Sequence, residues 1–231
     1  DETISGNLGL RVRNGAGGST IISYYIAPGM LPDNVVVTQG AQWAQTVTAG
    51  DNISNINSVS VAPDGSVYAA GYIKGTGTYN FGNNVTSAGT YTGSNILLMK
   101  YNSSGVAQWA RSVITGHSAS VFDSVSVASD GSVYAAGYID GTGTFNFGNN
   151  VTATGASRGI GILLVKYNSS GTAQWAKTVT AGSDSEFSCV SVASDGSVYA
   201  GGFIIGTFTY DFGNSITAAG TSVVWNVLLV K

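Results

Sequence analysis

The chain offers few side chains that could catalyse a reaction. His117 is the only histidine, and it lies in a Gly-His-Ser stretch. A Ser-His-Asp arrangement through Asp123 can be drawn, but no nucleophile-elbow motif accompanies it. Zinc, P-loop and dinucleotide motifs do not occur in the sequence. We therefore predict a protein that is not an enzyme, with no catalytic or metal-binding residues; a hydrolase is a remote alternative.

Charged side chains recur at a regular spacing along the chain. The recurring residues are three aspartates, each followed by a glycine, and three lysines: Asp64, Asp130, Asp195, Lys100, Lys166 and Lys231. They could form one ligand or cation site per repeat. Asp-Gly pairs are also ordinary turn residues, and this second interpretation is favoured. The clusters GDNISN and GSDSEF could supply oxygen ligands to calcium, but their spacing matches no EF-hand, so we expect no cofactor, with calcium a weak alternative.

Aromatic residues are the better candidates for a binding site. A sugar ring stacks on an aromatic face while Asn, Asp or backbone groups bind its hydroxyls, and several weak sites gain from multivalency. The competing interpretation is that the same rings fill the core, because aromatic side chains dominate ordinary packing. The candidate carbohydrate-binding residues, each next to polar or glycine residues, are Trp43, Trp109, Trp175, Tyr79, Phe145 and Tyr210.

These residues belong to a unit that occurs three times. The phrases AQWAQTV, AQWARSV and AQWAKTV place a tryptophan every 66 residues, and the segments around DGSVYA, FGN and LLVK recur with them. Repetition at this length is typical of repeat architectures. The units span about 41–106, 107–172 and 173–231.

Within a unit, apolar residues alternate with polar ones on both sides of an Asp-Gly pair. This pattern predicts a β-hairpin with a type I′ turn. NILLMKY predicts a third, buried strand and AQWAQTV a fourth. Four antiparallel strands per unit and no helical periodicity predict an all-β fold of β-propeller-like blades. The predicted turn residues are Asp64, Gly65, Asp130, Gly131, Asp195 and Gly196.

The repeated phrases also resemble a known family. VSVASDGSVYAAGY, ILLVKYNSSG and AQWAKTV are similar to the bacterial β-propeller repeat of the SBBP type, over residues 41–231. The resemblance implies a secreted or cell-surface bacterial protein and carries no shared catalytic residues. The connector from Gly75 to Ser94 is longer than the usual unit of that family.

Strand counting predicts an incomplete set of blades. The third unit lacks its own AQWA strand, while the copy at Trp43 precedes the first hairpin. Pairing of the Trp43 strand with the last blade would close a ring. Three blades are fewer than the four to eight of most propellers, so we expect a homo-oligomeric ring or a polymer. A closed three-blade body, or a piece of a longer protein, remains an alternative.

Residues 1–40 do not repeat and form an N-terminal extension with short predicted strands. Such an extension could cover an edge or insert into a neighbouring chain. The predicted assembly residues are apolar and mostly β-branched: Ile21, Ile22, Tyr24, Ile26, Val35 and Val37. Together these features predict a non-catalytic extracellular or cell-surface module for structure or adhesion, with a lectin-like, glycan-binding protein as the alternative.

Composition argues against two classes of interaction, nucleic-acid binding and membrane insertion. Only 9% of residues are charged, the net charge is −3, and Gly is abundant at 33 residues. The lack of a basic surface argues against nucleic acid. No apolar stretch reaches the ~18 residues of a membrane span. Cys189 replaces the serine at positions 58 and 124, which predicts a small buried side chain.

Overall fold

The computed structural model of the chain describes residues 8–13, 19–24, 41–156 and 159–231. The chain divides into two compact units, Asp1–Gln42 and Trp43–Lys231. Every regular element in the described residues is a β-strand, and every pairing is antiparallel. The all-β prediction is therefore confirmed.

In the first unit, β1 (Leu8–Arg13) and β2 (Ser19–Tyr24) form an antiparallel hairpin. Of the predicted assembly residues, three lie on β2, and their partners on β1 are Arg11 for Ile21, Leu10 for Ile22 and Leu8 for Tyr24. Ile26, Val35 and Val37 lie outside the described residues.

The second unit contains three larger sheets, called blades here, and three two-stranded sheets. Blade 1 has the strand order β3-β4-β7-β8 and blade 2 the order β9-β10-β13-β14, with a small hairpin inserted between the second and third strands. Blade 3 has only β15-β16-β19 and its hairpin, as the strand count predicted. The strands of blade 1 are β3 (Ser54–Val61), β4 (Val67–Lys74), β5 (Thr78–Asn80), β6 (Thr86–Ala88), β7 (Ser94–Tyr101) and β8 (Ala107–Arg111). The strands of blade 2 are β9 (Ser120–Val127), β10 (Val133–Asp140), β11 (Thr144–Asn146), β12 (Thr152–Thr154), β13 (Ile160–Tyr167) and β14 (Ala173–Lys177). The strands of blade 3 are β15 (Ser185–Val192), β16 (Val198–Ile205), β17 (Thr209–Asp211), β18 (Thr217–Ala219) and β19 (Trp225–Val230).

The AQWA strand therefore completes the sheet of the preceding repeat, so a blade and a repeat unit are offset along the sequence. The first copy, at residues 41–47, forms no strand. The structure describes no third strand of an earlier blade on which it could pair. Closure of the blades into a ring stays a prediction.

The Asp-Gly turns differ from the predicted type. Only Gly65 has a positive φ (77°), whereas a type I′ turn requires one at both central residues. The Gly65 N–H donates to Ala62 O (2.9 Å) and the Ala62 N–H to Ser66 O (2.8 Å). This is a type I turn followed by a left-handed glycine. Pro63 at the first central position is compatible with this turn, because its φ is confined to negative values, and the hairpins that have Ser129 and Ser194 there form the same hydrogen bonds.

The type I′ turn lies instead in the small hairpin. Asn83 and Asn84 have φ of 50° and 58°, and the Val85 N–H donates to Gly82 O (2.9 Å). Asparagine tolerates this left-handed conformation better than most residues. Equivalent angles occur at Asn149-Asn150 and Asn214-Ser215.

A β-bulge interrupts the first strand of each blade. On β9, Phe122 lies opposite Gly137 and Ser124 opposite Ala136, so that Asp123 is the extra residue. A Cβ on Gly137 would overlap the carbonyl oxygen of Val121 and lie 3.0 Å from Phe122 Cα. The other extra residues are Asn57 and Ser188, each again opposite a crowded glycine.

The long connector of blade 1 is held by one buried amide. Asn95 is fully buried, and its Nδ2 lies 2.8 Å from Tyr91 O and 3.1 Å from both Gly75 O and Gly93 O. Its Oδ1 accepts the N–H groups of Thr90 and Tyr91 at 2.9 Å. Asn226 makes the same kind of contacts in blade 3, whereas blade 2 has Gly161 at this position.

Candidate functional site

Successive blades are joined by hydrogen bonds from backbone to serine. The Val125 N–H of β9 donates to Ser58 Oγ (3.2 Å) and the Val127 N–H to Ser60 Oγ (3.1 Å). In the opposite direction, the Ile96 N–H donates to Ser120 Oγ (3.1 Å). First strands are edge strands of their sheets, so their free N–H groups need partners outside the sheet. The serines of the repeat supply those partners.

The junction between blades 2 and 3 repeats this pattern. The N–H groups of Val190 and Val192 donate to Ser124 Oγ (3.1 Å) and Ser126 Oγ (3.2 Å). The Ile162 N–H donates to Ser185 Oγ (3.2 Å). The contact between blades is therefore a repeated interface with a fixed register.

Apolar packing completes each junction. Ile96 and Leu98 of blade 1 pack in one cluster with Phe122 and Val125 of blade 2. Trp109 of β8 joins the same cluster, and its Nε1 donates to Ser169 O (3.1 Å). A Cβ on Gly171 would lie 2.8 Å from the Trp109 ring, so this turn admits only glycine beneath the indole.

Blade 1 presents a copy of the receiving side of this junction, called the leading face here, that no other blade among the described residues covers. It consists of Ile56, Val59 and Val61, which are equivalent to Phe122, Val125 and Val127. Val59 is 60% exposed, whereas Val125 is 5% exposed. A groove of about 280 Å³ runs across this face. Its lining residues include Trp43, Val47, Ser54, Ile56, Val59 and Leu97.

Blade 3 presents a copy of the opposite side, called the trailing face here, on which the structure describes no further blade. Val227 and Leu229 are equivalent to Ile96 and Leu98. Val227 is 92% exposed and Ile96 is fully buried; Leu229 is also largely exposed. The outer edge of β19 has no partner strand within the described residues. Large exposed apolar surfaces of this kind mark interaction sites.

Cys189 lies on the trailing face and is exposed, so the prediction of a buried side chain is wrong. Its equivalent Ser124 is covered by the next blade, whereas the structure describes no blade over Cys189. Cys189 lies opposite Gly201, where the other blades place Ala70 and Ala136. A Cβ on Gly201 would lie 2.9 Å from the Cys189 sulfur, so the larger thiol is matched by a smaller partner.

Residues 43–50 already occupy the position of an outer strand next to blade 1. Trp43 Nε1 donates to Ser103 O (3.2 Å), as Trp109 does to Ser169, and Trp43 stacks on Tyr101 at 6.3 Å between ring centroids. Ala49 forms an isolated bridge with Asn80, as Thr115 does with Asn146. The segment therefore holds the same contacts to blade 1 that residues 109–116 hold to blade 2.

The bulge residues of the first strands form a polar column beside the junctions. Asn57 Nδ2 donates to Phe122 O (3.0 Å) and to Asp123 Oδ1 (3.2 Å), while Asp123 Oδ2 is buried without a partner among the described residues. Burial, and then the charge of Glu186, raise the pKa of Asp123 to about 6. Burial also raises the pKa of Glu186. The folded chain is therefore more stable when Asp123 is protonated.

Four of the six aromatic candidates lie inside the blades. The rings of Tyr79, Phe145 and Tyr210 are fully buried, and Trp109 is buried between blades. Tyr79 OH donates to Lys74 O (2.7 Å) and Tyr210 OH to Ile205 O (2.7 Å), which ties each ring to its own blade. None of these rings offers a face to a sugar. Trp43 and Trp175 keep part of their surface exposed, so carbohydrate stacking stays a prediction for these two.

The recurring aspartates and lysines have separate contacts. Asp64 accepts the Ser66 N–H (2.9 Å) and the Ser66 hydroxyl (3.0 Å), and these hydrogen bonds lower the pKa of Asp64. Lys100 lies over the Tyr68 ring at 5.2 Å, a cation–π contact. Asp130, Asp195, Lys166 and Lys231 repeat these arrangements. The aspartates therefore act as turn residues, and each lysine packs on a tyrosine ring of its own blade.

The remaining candidates for chemistry do not converge. His117 is exposed. In the part of the chain that the structure describes, no three His, Cys, Asp or Glu side chains come together as a metal site. Across the same residues, no helix has the length and apolar character to cross a membrane.

No protein-family model matches this chain, and no curated protein matches it either. The SBBP-type resemblance consequently rests on the repeated phrases alone. The two faces have no signature in the sequence, because their positions hold apolar residues in every repeat. The informative signal is instead a difference in surroundings: the same apolar positions are buried in one repeat and exposed in another.

Proposed function

We propose that the protein is a non-catalytic structural or adhesion module that self-associates and works outside the cell. The observation that carries the proposal is the pair of uncovered apolar faces, one on blade 1 and one on blade 3. Monomeric soluble proteins rarely expose contiguous apolar patches of this kind. Few charged residues and many Ser, Thr and Asn residues favour an extracellular location.

Edge pairing supports the same proposal. The outer edge of β19 presents unpaired backbone groups beside exposed Trp225, Val227 and Leu229. An open, apolar edge is a template for a further strand. The N-terminal extension, with its β1–β2 hairpin, is a second element that could supply contacts between chains.

The test is the oligomeric state of the purified chain. We expect sedimentation velocity over a range of protein concentrations to show association, and electron microscopy to show rings or filaments. A chain that stays monomeric at every concentration up to about 100 μM, well above the dissociation constants of specific assemblies, would contradict the proposal. Removal of residues 1–40 in a parallel sample reports whether the extension takes part.

A further inference from the structure

We infer that the leading face of blade 1 binds the trailing face of blade 3 in a second copy of the chain, head to tail. The inference rests on the proposed function and adds the partner, the two surfaces and the register. Its basis is the pair of junctions within the chain, which show twice how a leading face receives a trailing face.

The apolar residues of the two faces are equivalents of residues already packed together. Across the junction of blades 1 and 2, Ile96 and Leu98 lie in one cluster with Phe122 and Val125. By the repeat, Val227 and Leu229 of one copy take the places of Ile96 and Leu98. They enter the 280 Å³ groove that Ile56 and Val59 line in the other copy.

Two of the three polar pairs of a junction find complementary groups on these faces in the same register, and at the third Cys189 stands in the place of Ser58 and Ser124. Ser54 is equivalent to Ser120 and Ser185, whose hydroxyls each accept an N–H from the third strand of the blade before. The Val227 N–H of the second copy is the equivalent donor for Ser54. The Val61 N–H and Ser191 Oγ form the second such pair, equivalent to Val127 with Ser60 and to Val192 with Ser126.

The third element of the junction is the strand pairing. In blade 1, Lys100 lies opposite Trp109 and Leu98 opposite Arg111. The equivalent pairs across the two copies are Lys231 with Trp43 and Leu229 with Gln45. Residues 43–50 already hold the contacts of an outer strand, so little conformational entropy is lost when β19 pairs with them.

The contact is heterologous, because each copy contributes a different surface. Two copies joined at both ends contain six blades, which falls within the four to eight blades of known propellers. A second copy is the occupant that fits, since its blade 3 carries the apolar and polar groups that complement the leading face.

Two single substitutions break opposite halves of the contact. Val59→Asp disables the leading face and Val227→Asp the trailing face, and each places a carboxylate on a surface that is exposed in the isolated chain. We expect each variant to fold, by circular dichroism, and to associate at least about 100-fold more weakly than the original chain. Ile114→Asp is the matched control: Ile114 is 60% exposed, its equivalents are Thr48 and Thr180, and association should stay unchanged.

Mixing provides the decisive measurement. Each single variant keeps one intact face, so an equimolar mixture of V59D and V227D should form pairs in sedimentation velocity although neither variant pairs alone. Cys189 reports on the surface itself: its reaction with a thiol reagent should slow as the original chain associates and stay fast in V227D.

The outcomes separate the two proposals. A chain that is monomeric at every concentration overturns the proposed function together with this inference. Association that survives both V59D and V227D but disappears when residues 1–40 are removed overturns this inference and leaves the proposed function standing. A mixture in which no pairs form also overturns the head-to-tail contact.

Discussion

Replacing Gly137 by alanine tests the bulge that shapes the first strand of blade 2. The new Cβ would overlap Val121 O and lie 3.0 Å from both Phe122 Cα and Val121 C. Relief of these contacts requires the two strands to separate by on the order of 1 Å, because carbon contacts are favourable only near 3.5–4.0 Å. Phe122 and Val125, beside the bulge, belong to the cluster between blades 1 and 2. We expect the free energy of unfolding to fall by about 3 kcal/mol.

Urea unfolding followed by circular dichroism measures this loss, and the melting temperature should fall by about 6–12 °C for a protein of this size. Gly143→Ala is the matched control, because a Cβ there has no atom within 4 Å and the backbone is not left-handed. That variant should stay within about 0.5 kcal/mol of the original chain. Equal urea midpoints for the two alanine variants would refute the assignment of Gly137 to the bulge.

Three further predictions concern buried polar and aromatic groups. Asn95→Ala should lower the free energy of unfolding by about 2–3 kcal/mol in urea titrations, because it leaves several backbone groups of the connector unpaired; a loss below 0.5 kcal/mol, about the size of a surface effect, would contradict its role. Asp123 has a pKa raised to about 6 from 3.8, so its protonation stabilises the fold fully below pH 4, and this contribution is lost as the pH rises through 6. Urea unfolding at pH 4 and pH 7 measures how much stability the chain loses between these two pH values. Because Asp123 is only half-buried, we expect this loss to be about 1 kcal/mol smaller in Asp123→Asn than in the original chain. The same loss in both proteins would contradict this. Trp109→Ala should lower the free energy of unfolding by about 3–5 kcal/mol in the same urea titrations, while Trp109→Phe, which keeps an aromatic ring but loses the N–H to Ser169 O, should cost less; equal losses in the two variants would contradict ring packing as the role of Trp109.

The strands could be predicted because each one follows a local pattern. Alternation of apolar and polar residues around Asp64-Gly65 locates β3 and β4, and the apolar run 96–99 locates β7. The predicted turn type was wrong because each loop holds three residues, Pro63 or its equivalents Ser129 and Ser194 before the Asp-Gly pair, whereas a type I′ hairpin loop holds two.

The uncovered faces could not be predicted from the sequence. Val59 and Val125 are the same residue in nearly the same phrase, and only the presence of a blade beside Val125 makes one exposed and the other buried. The same holds for Cys189, whose surroundings and not its own chemistry decide whether the thiol is buried. Burial at a junction depends on a neighbour some 66 residues away, which no local pattern encodes.

The pairing of Cys189 with Gly201 has a consequence for how the chain folds. Near-identical repeats risk strand exchange, in which the first strand of one hairpin pairs with the second strand of another during folding. Ser58 and Ser124 both face an alanine, so β3 and β9 could exchange partners without a steric penalty. Cys189 opposite Ala70 or Ala136 would bring the sulfur to within about 3 Å of a methyl carbon, so the thiol would have to turn to another side-chain rotamer. The thiol thus gives β15 a slight preference for its own partner β16, whereas β3 and β9 rely on the short stretch of chain that joins each of them to its own second strand.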